Sequence, residues 1–266
     1  MRFSSLTLLS AVGLLHANDN PFGYSTDTTI TKKGEYQLQQ SITMRCGLDQ
    51  GASFDGNYRG YDLSTQFEIG LSDTEHLDLL MSESGFHSAG VHGFRFGGVD
   101  VEYKHLLNSD EGDHWGAAWV AALAYSQLDS SSGTLNTETT VATRLFLQRN
   151  FGTARRWYYL TNISASLAHD PGVTKGLVEW SQGLAYRANV HWALGVETVA
   201  DGVWMGFRRF DNSALRLGPS IAYKTDSLAI SLTCLWQMSG APATNGGRDL
   251  RDTCRSETRM LMSWEF

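Results

Sequence analysis

Charged side chains recur on one alternating phase of this 266-residue sequence, and their types and spacing are where chemistry could reside. Arg45, Asp62, Glu68, Asp78, Asp100, Glu102, Lys104, Glu179, Arg187, Glu197 and Arg259 all fall on the polar side of segments that alternate polar and apolar residues. Acids outnumber bases among them, and the signs are mixed. Mixed signs at one depth favour ion pairs that satisfy each other inside a narrow interior. A selective pore more often shows rings of one sign. The acidic excess leans toward cations or neutral solutes rather than anions.

Catalytic constellations are sparse. "SESGFHSAGVHGF" brings Ser84, His87, Ser88 and His92 together, the residue types of a hydroxyl nucleophile and an imidazole base, but its glycines read as loop. His87 and His92 lack an accompanying Cys/His cluster of zinc spacing. Asp49 with Asp55, and Asp249 with Asp252, are loop acids for which solvation is as good a reason as cation collection. No phosphate-binding glycine loop of recognised spacing occurs. No catalytic, cofactor-binding or metal-ligating residue is therefore assigned, and the chain is expected not to be an enzyme. A membrane-embedded lipid hydrolase built on Ser84 and His87 is kept as an alternative.

The elements that position these residues are strands. From Gly34 onward the period is two. "EYQLQQSITMRC" places Tyr36, Leu38, Ile42 and Met44 on one face, and "YDLSTQFEIGL" repeats the device. Further alternating segments lie near 77–86, 98–107, 115–126, 139–150, 157–168, 177–187, 192–200, 215–223, 228–238 and 257–266, giving twelve strands. Long and short connections alternate, from "GLDQGASFDGNYRG" and "SDTEH" to the final "SGAPATNGGRDLRDTCRS". An even strand count with short turns on one side and longer loops on the other is the pattern of a transmembrane barrel, closed and antiparallel, with its apolar face toward lipid and its polar face toward the lumen. Both termini then fall on the periplasmic side.

Aromatic placement supports that inversion. Tyr36, Trp115, Trp157 and Trp192 begin odd-numbered strands, while Phe151, Trp264 and Phe266 end even-numbered ones. Odd starts and even ends share one rim, so these residues form a girdle at a membrane–water interface. The last strand must close on the first so that no edge meets hydrocarbon.

The N-terminus, "MRFSSLTLLSAVGLLHAND", has a basic residue, an apolar run and a small residue at Ala17. This is the layout of a secretory signal peptide, with cleavage expected after residue 17. Residues 18–34 follow as a periplasmic or lumen-entering lead segment, and 35–266 as the barrel. The net charge of −7 and the absence of a basic block exclude nucleic acid as an expected partner. Cys46 and Cys254 are predicted to reach one rim, where a disulfide could join them in an oxidising compartment.

The stretches "NDNPFGYSTDT", "KKGEYQLQQSITMRCG", "YDLSTQFEIGLSD", "LFLQRNFG" and "LGPSIAYKT" resemble a family of uncharacterised bacterial outer-membrane β-barrel proteins, transporter- or porin-like. The resemblance spans about Asn18 to Phe266. It implies residence in the outer membrane, lipid as a partner, and passage of small solutes. It also implies that the C-terminal strand ending in Phe266 is recognised by the barrel-assembly machinery. It carries no established catalytic or binding residues. A narrow passive channel is the expected function, and a structural or surface-interaction barrel with a plugged lumen is the alternative.

Overall fold

A computed structural model describes residues 20–49, 58–88, 91–110, 114–128 and 135–265. Twelve strands make one closed antiparallel sheet: β1 (Tyr36–Cys46), β2 (Arg59–Gly70), β3 (Glu75–Ser88), β4 (Val91–Asn108), β5 (Gly116–Leu128), β6 (Leu135–Phe151), β7 (Trp157–Asp170), β8 (Val173–Arg187), β9 (Trp192–Met205), β10 (Arg209–Lys224), β11 (Leu228–Ala241) and β12 (Ser256–Glu265). Each strand pairs with its neighbours in sequence. The ring closes where β1 meets β12, with Leu38 opposite Trp264 and Cys46 opposite Ser256. The signal-peptide expectation and Phe266 lie outside the described residues.

Period-two patterning explains the closure. Leu79, Val101, Leu123, Val141, Ile163 and Val196 are exposed on the outer surface, while Glu68, Asp78, Glu197, Ser231 and Thr233 are buried on the inner one. A soluble sandwich would show the reverse. Around the rim that carries the strand termini, Tyr36, Trp115, Phe151, Trp157 and Trp192 are 38–45% exposed. Neighbouring rings of this belt touch: Phe151 stacks on Trp157 at 6.4 Å between centroids, and Trp192 meets Tyr223 at 4.8 Å. The side chain of Trp264 is half-buried against the same rim.

One expectation about the connections needs adjustment. Several connections read as long loops are strand. β3 and β4 run through most of "HSAGVHGFRFGG", and β9 and β10 through most of "DGVWMGFRRFDNSA", where only residues 206–208 form the turn. Glycines and charges disguised these extensions, because a strand protruding beyond a membrane no longer needs a continuous apolar face. A second set of outward aromatics, Tyr61, Phe94, Phe96, Tyr125 and Trp236, is exposed near the opposite rim.

The interior is filled from the N-terminal side. Residues 20–31 thread the lumen near the terminal rim, with Phe22, Ser25 and Asp27 almost wholly buried. Residues 20–31 of the lead segment therefore lie inside the barrel, the lumen-entering of its two expected placements. Phe22 packs with Tyr158, Leu160 and Ala185. Its ring lies against β8 where a Cβ on Gly183 would come within 2.5 Å of it, so the phenyl fits only because glycine stands there. The segment leaves across Gly70, where a Cβ would lie 1.8 Å from the Lys32 carbonyl oxygen.

Candidate functional site

An extended segment inside a barrel has no ladder partners, so its backbone groups must find side chains. Those side chains come from the polar phase of the strands. Glu197 accepts from the N–H groups of Gly23 (3.2 Å), Tyr24 (3.0 Å) and Ser25. Thr233 also accepts from Gly23, and Arg259 donates to its carbonyl at 3.2 Å. The Arg259 guanidinium lies 4.1 Å from the centre of the Tyr24 ring. Asn162 accepts from Thr26 N–H at 2.7 Å and donates to its carbonyl at 2.8 Å, imitating a strand edge. Gln148 accepts from Thr28, and Lys104 donates to the Thr29 carbonyl at 2.7 Å. Thr31 ends the series, its N–H donating to His76 and its hydroxyl to Glu68.

Beside this segment lies a cavity of about 640 Å³. Glu68, Asp78, Glu102, Lys104, Arg144, Glu179, Asp201, Arg216 and Arg259 contribute to its lining. Ion pairs tie some of these together. Arg144 meets Glu102, and Arg216 bridges Asp201 and Glu257, the latter at 2.8 Å. Glu179 is exposed to this space, and among the described residues it pairs with no lysine or arginine. Asp100 neighbours Glu102 on β4, with one buried oxygen that has no hydrogen-bond partner. Small residues of β5 line part of the interior. Ala118 and Ala122 are buried, and Gly116 sits against Thr28 of the segment.

Toward the opposite rim the lumen is braced. Arg45 grips Asp62 at 2.8 and 3.0 Å, and Ser84 donates to the same carboxylate at 2.7 Å. Above them Leu48, Tyr58, Phe86 and Cys254 form a small apolar cluster under the loop that precedes β12. All three cysteines carry free thiols, so the candidate bridge between Cys46 and Cys254 is not formed. Burial pushes the Cys254 thiol up to about 12. Arg187 lies at the terminal rim over the Tyr158 ring, 5.1 Å from its centre.

The Ser84–His87 pairing is not assembled. Ser84 points inward to Asp62, whereas His87 is exposed three residues farther along the strand. Alternation puts residues an odd number apart on opposite faces. The side chains of Ser88 and His92 lie outside the described residues, as does Asp55.

One grouping escaped the sequence reading. His76 joins Glu68 and Asp78, and one ligand atom from each lies within 4.8 Å of the others. The signal was present: His76 and Asp78 are two apart on one strand, and Asp78 stands directly opposite Glu68. Recognising it required the register between β2 and β3.

Solved structures of similar shape are bacterial barrels. The NanC porin matches with a TM-score of 0.51 at 10% identity, covering 85% of this chain and 98% of that one. The beta domain of the Bordetella autotransporter BrkA gives 0.52 at 10% identity, covering 87% and 99%. LpxR from Salmonella typhimurium gives 0.49 at 10% identity, covering 86% and 99%. No curated protein matches the chain. The NanC and BrkA matches establish an outer-membrane β-barrel fold. A fold of this kind does not decide between catalytic and non-catalytic function, so it removes the basis for expecting a non-enzyme. That expectation is corrected accordingly. A family model matches residues 14–266, and the chain belongs to that family, DUF6662, a family of unknown function.

Proposed function

We propose that the protein is a passive outer-membrane channel for small neutral or cationic solutes, in which the N-terminal segment sets the constriction at the periplasmic end. The observation that carries this reading is a polar cavity of about 640 Å³ alongside a segment held mostly by hydrogen bonds. Twelve strands lie between barrels filled by side chains and those wide enough for an aqueous pore. A filler that is itself chain, rather than side chains, can be removed without rebuilding the wall. Unpaired acids facing the cavity, Glu179 above all, favour cations over anions. Export with cleavage after Ala17, lipid contact along the outer face, and delivery to the barrel-assembly machinery through β12 belong to the same proposal.

Planar-bilayer recording tests it. The chain beginning at Asn18 is expected to give small, cation-preferring currents, and a chain lacking residues 18–31 several-fold larger ones. Silence from both refolded proteins across salts and voltages overturns the channel. A second reading, a static plug in a structural or surface-interaction barrel, is favoured by the three-donor grip of Glu197 on Gly23, Tyr24 and Ser25. It predicts conduction from the shortened chain alone.

A further inference from the structure

We propose that Glu68, His76 and Asp78 form a binding site for a borderline divalent cation of the Zn²⁺ type, in competition with Thr31 of the lead segment. The three side chains are 6%, 2% and 4% exposed, so they are withdrawn from bulk water. His76 Nδ1 lies 3.8 Å from Glu68 Oε2, and its Nε2 lies 3.5 Å from Asp78 Oδ2.

Two atoms in this cluster are buried without a hydrogen-bond partner, His76 Nε2 and Asp78 Oδ1. Buried polar atoms are nearly always satisfied, so two orphans in one small volume call for a missing ligand. Ordinary neutralisation does not supply it. Among the described residues no lysine or arginine forms an ion pair with Glu68 or Asp78. Lys104, directly opposite His76 on β4, is near enough to act on Glu68 and Asp78 through space but makes no ion pair with either, donating to the Thr29 carbonyl and lying 5.4 Å from the centre of the Phe146 ring. Glu68 Oε1 accepts from Gln66 at 3.2 Å, which leaves Asp78 Oδ1 and His76 Nε2 as the atoms without a hydrogen bond.

The donor set selects the ion. One nitrogen and two carboxylates with a position to spare suit Zn²⁺. Ca²⁺ needs six to eight oxygens and Mg²⁺ a near-ideal octahedron, which this trio does not offer. The segment opposes that ion through the other ring nitrogen and the shared carboxylate. Thr31 N–H donates to His76 Nδ1 at 3.1 Å and its hydroxyl to Glu68 Oε2 at 2.8 Å. A cation on Nε2 requires the ring proton on Nδ1, where it faces the Thr31 N–H, and draws on the Glu68 lone pair, so its binding and the docking of Thr31 oppose each other, and each must weaken the other by the same factor. The site does not depend on whether the lumen conducts.

Calorimetric titration of Zn²⁺ into the tag-free, refolded full chain in detergent provides the test, with folding checked by heat-modifiable migration. One tight site per barrel is expected, undisturbed by Ca²⁺ or Mg²⁺. Glu68→Gln and Asp78→Asn should each weaken it at least about tenfold, while His87→Ala on the exposed surface leaves it unchanged. Thr31→Val, which removes the competing hydroxyl, should tighten it several-fold. Absence of a tight site in the folded chain, or affinity in both acid variants unchanged from the natural chain, overturns the proposal. Weaker binding by Thr31→Val overturns the competition. If the acid variants fail to refold, the natural chain and Thr31→Val still decide the matter.

Discussion

The wall of the lumen built from β9–β12 and the wall built from β2–β4 both bury charge near the lead segment, but they treat it differently. On the first, Arg216 bridges Asp201 and Glu257, and Glu197 is occupied by three backbone N–H groups. On the second, Glu68 and Asp78 stand side by side with His76, and among the described residues no lysine or arginine forms an ion pair with either acid. A buried charge is costly unless it is paired and hydrogen-bonded. The first wall meets that requirement from within the chain, which is the signature of a structural brace. The second relies on Thr31 and Gln66 at Glu68 and leaves Asp78 Oδ1 without a hydrogen bond.

The sharpest way to break this contrast is to remove the brace. Glu197→Ala leaves the Tyr24 and Ser25 N–H groups without their acceptor and Gly23 with Thr233 alone. It should cost on the order of 3–5 kcal/mol in urea unfolding of the refolded barrel, the range for breaking a buried charged contact. Arg216→Met strands two carboxylates and is expected to cost a similar amount, whereas replacing all three members of that bridge with apolar residues should be nearly neutral. A comparable loss from Glu68→Gln would erase the distinction between the walls.

Asn162→Ala removes both hydrogen bonds to Thr26 and should cost about 1–3 kcal/mol, read from the same unfolding curves. Glu68→Gln keeps an acceptor for the Thr31 hydroxyl and lifts one of two adjacent negative charges. Its effect should therefore be under about 1 kcal/mol, of either sign. The smallest effect concerns the rim above Arg45. Because burial holds the Cys254 thiol near 12, it stays protonated at pH 8, and maleimide should label it only after unfolding; rapid labelling in the folded barrel would contradict its packing against Tyr58 and Phe86.

What the sequence disclosed, and what it withheld, follows the range of the interactions. Strand number, closure and the inward phase of Arg45, Asp62, Glu197 and Arg259 were readable because alternation is a local signal. The rim belt of Tyr36, Trp157 and Trp192 was readable because strand starts recur at one height. The burial of residues 20–31 was not, since "NPFGYSTDTTIT" has no periodicity and its partners lie as far as 236 positions away. The Glu68–His76–Asp78 grouping failed for a related reason: His76 abuts a tight turn, and its neighbour Glu68 becomes visible only once the register of two strands is known. The candidate Cys46–Cys254 bridge was plausible from topology alone, yet sharing a rim does not bring two sulfurs into bonding geometry.

The seating of Phe22 against Gly183, together with the grip of Glu197 and Thr233 on Gly23, has a bearing on how this molecule is put together. The residues that receive the lead segment are synthesised long after it, and the seam beside it is completed only when β12 arrives. Residues 20–31 must therefore wait, unpartnered, until almost everything else exists. A stretch made early is among the last to find its place.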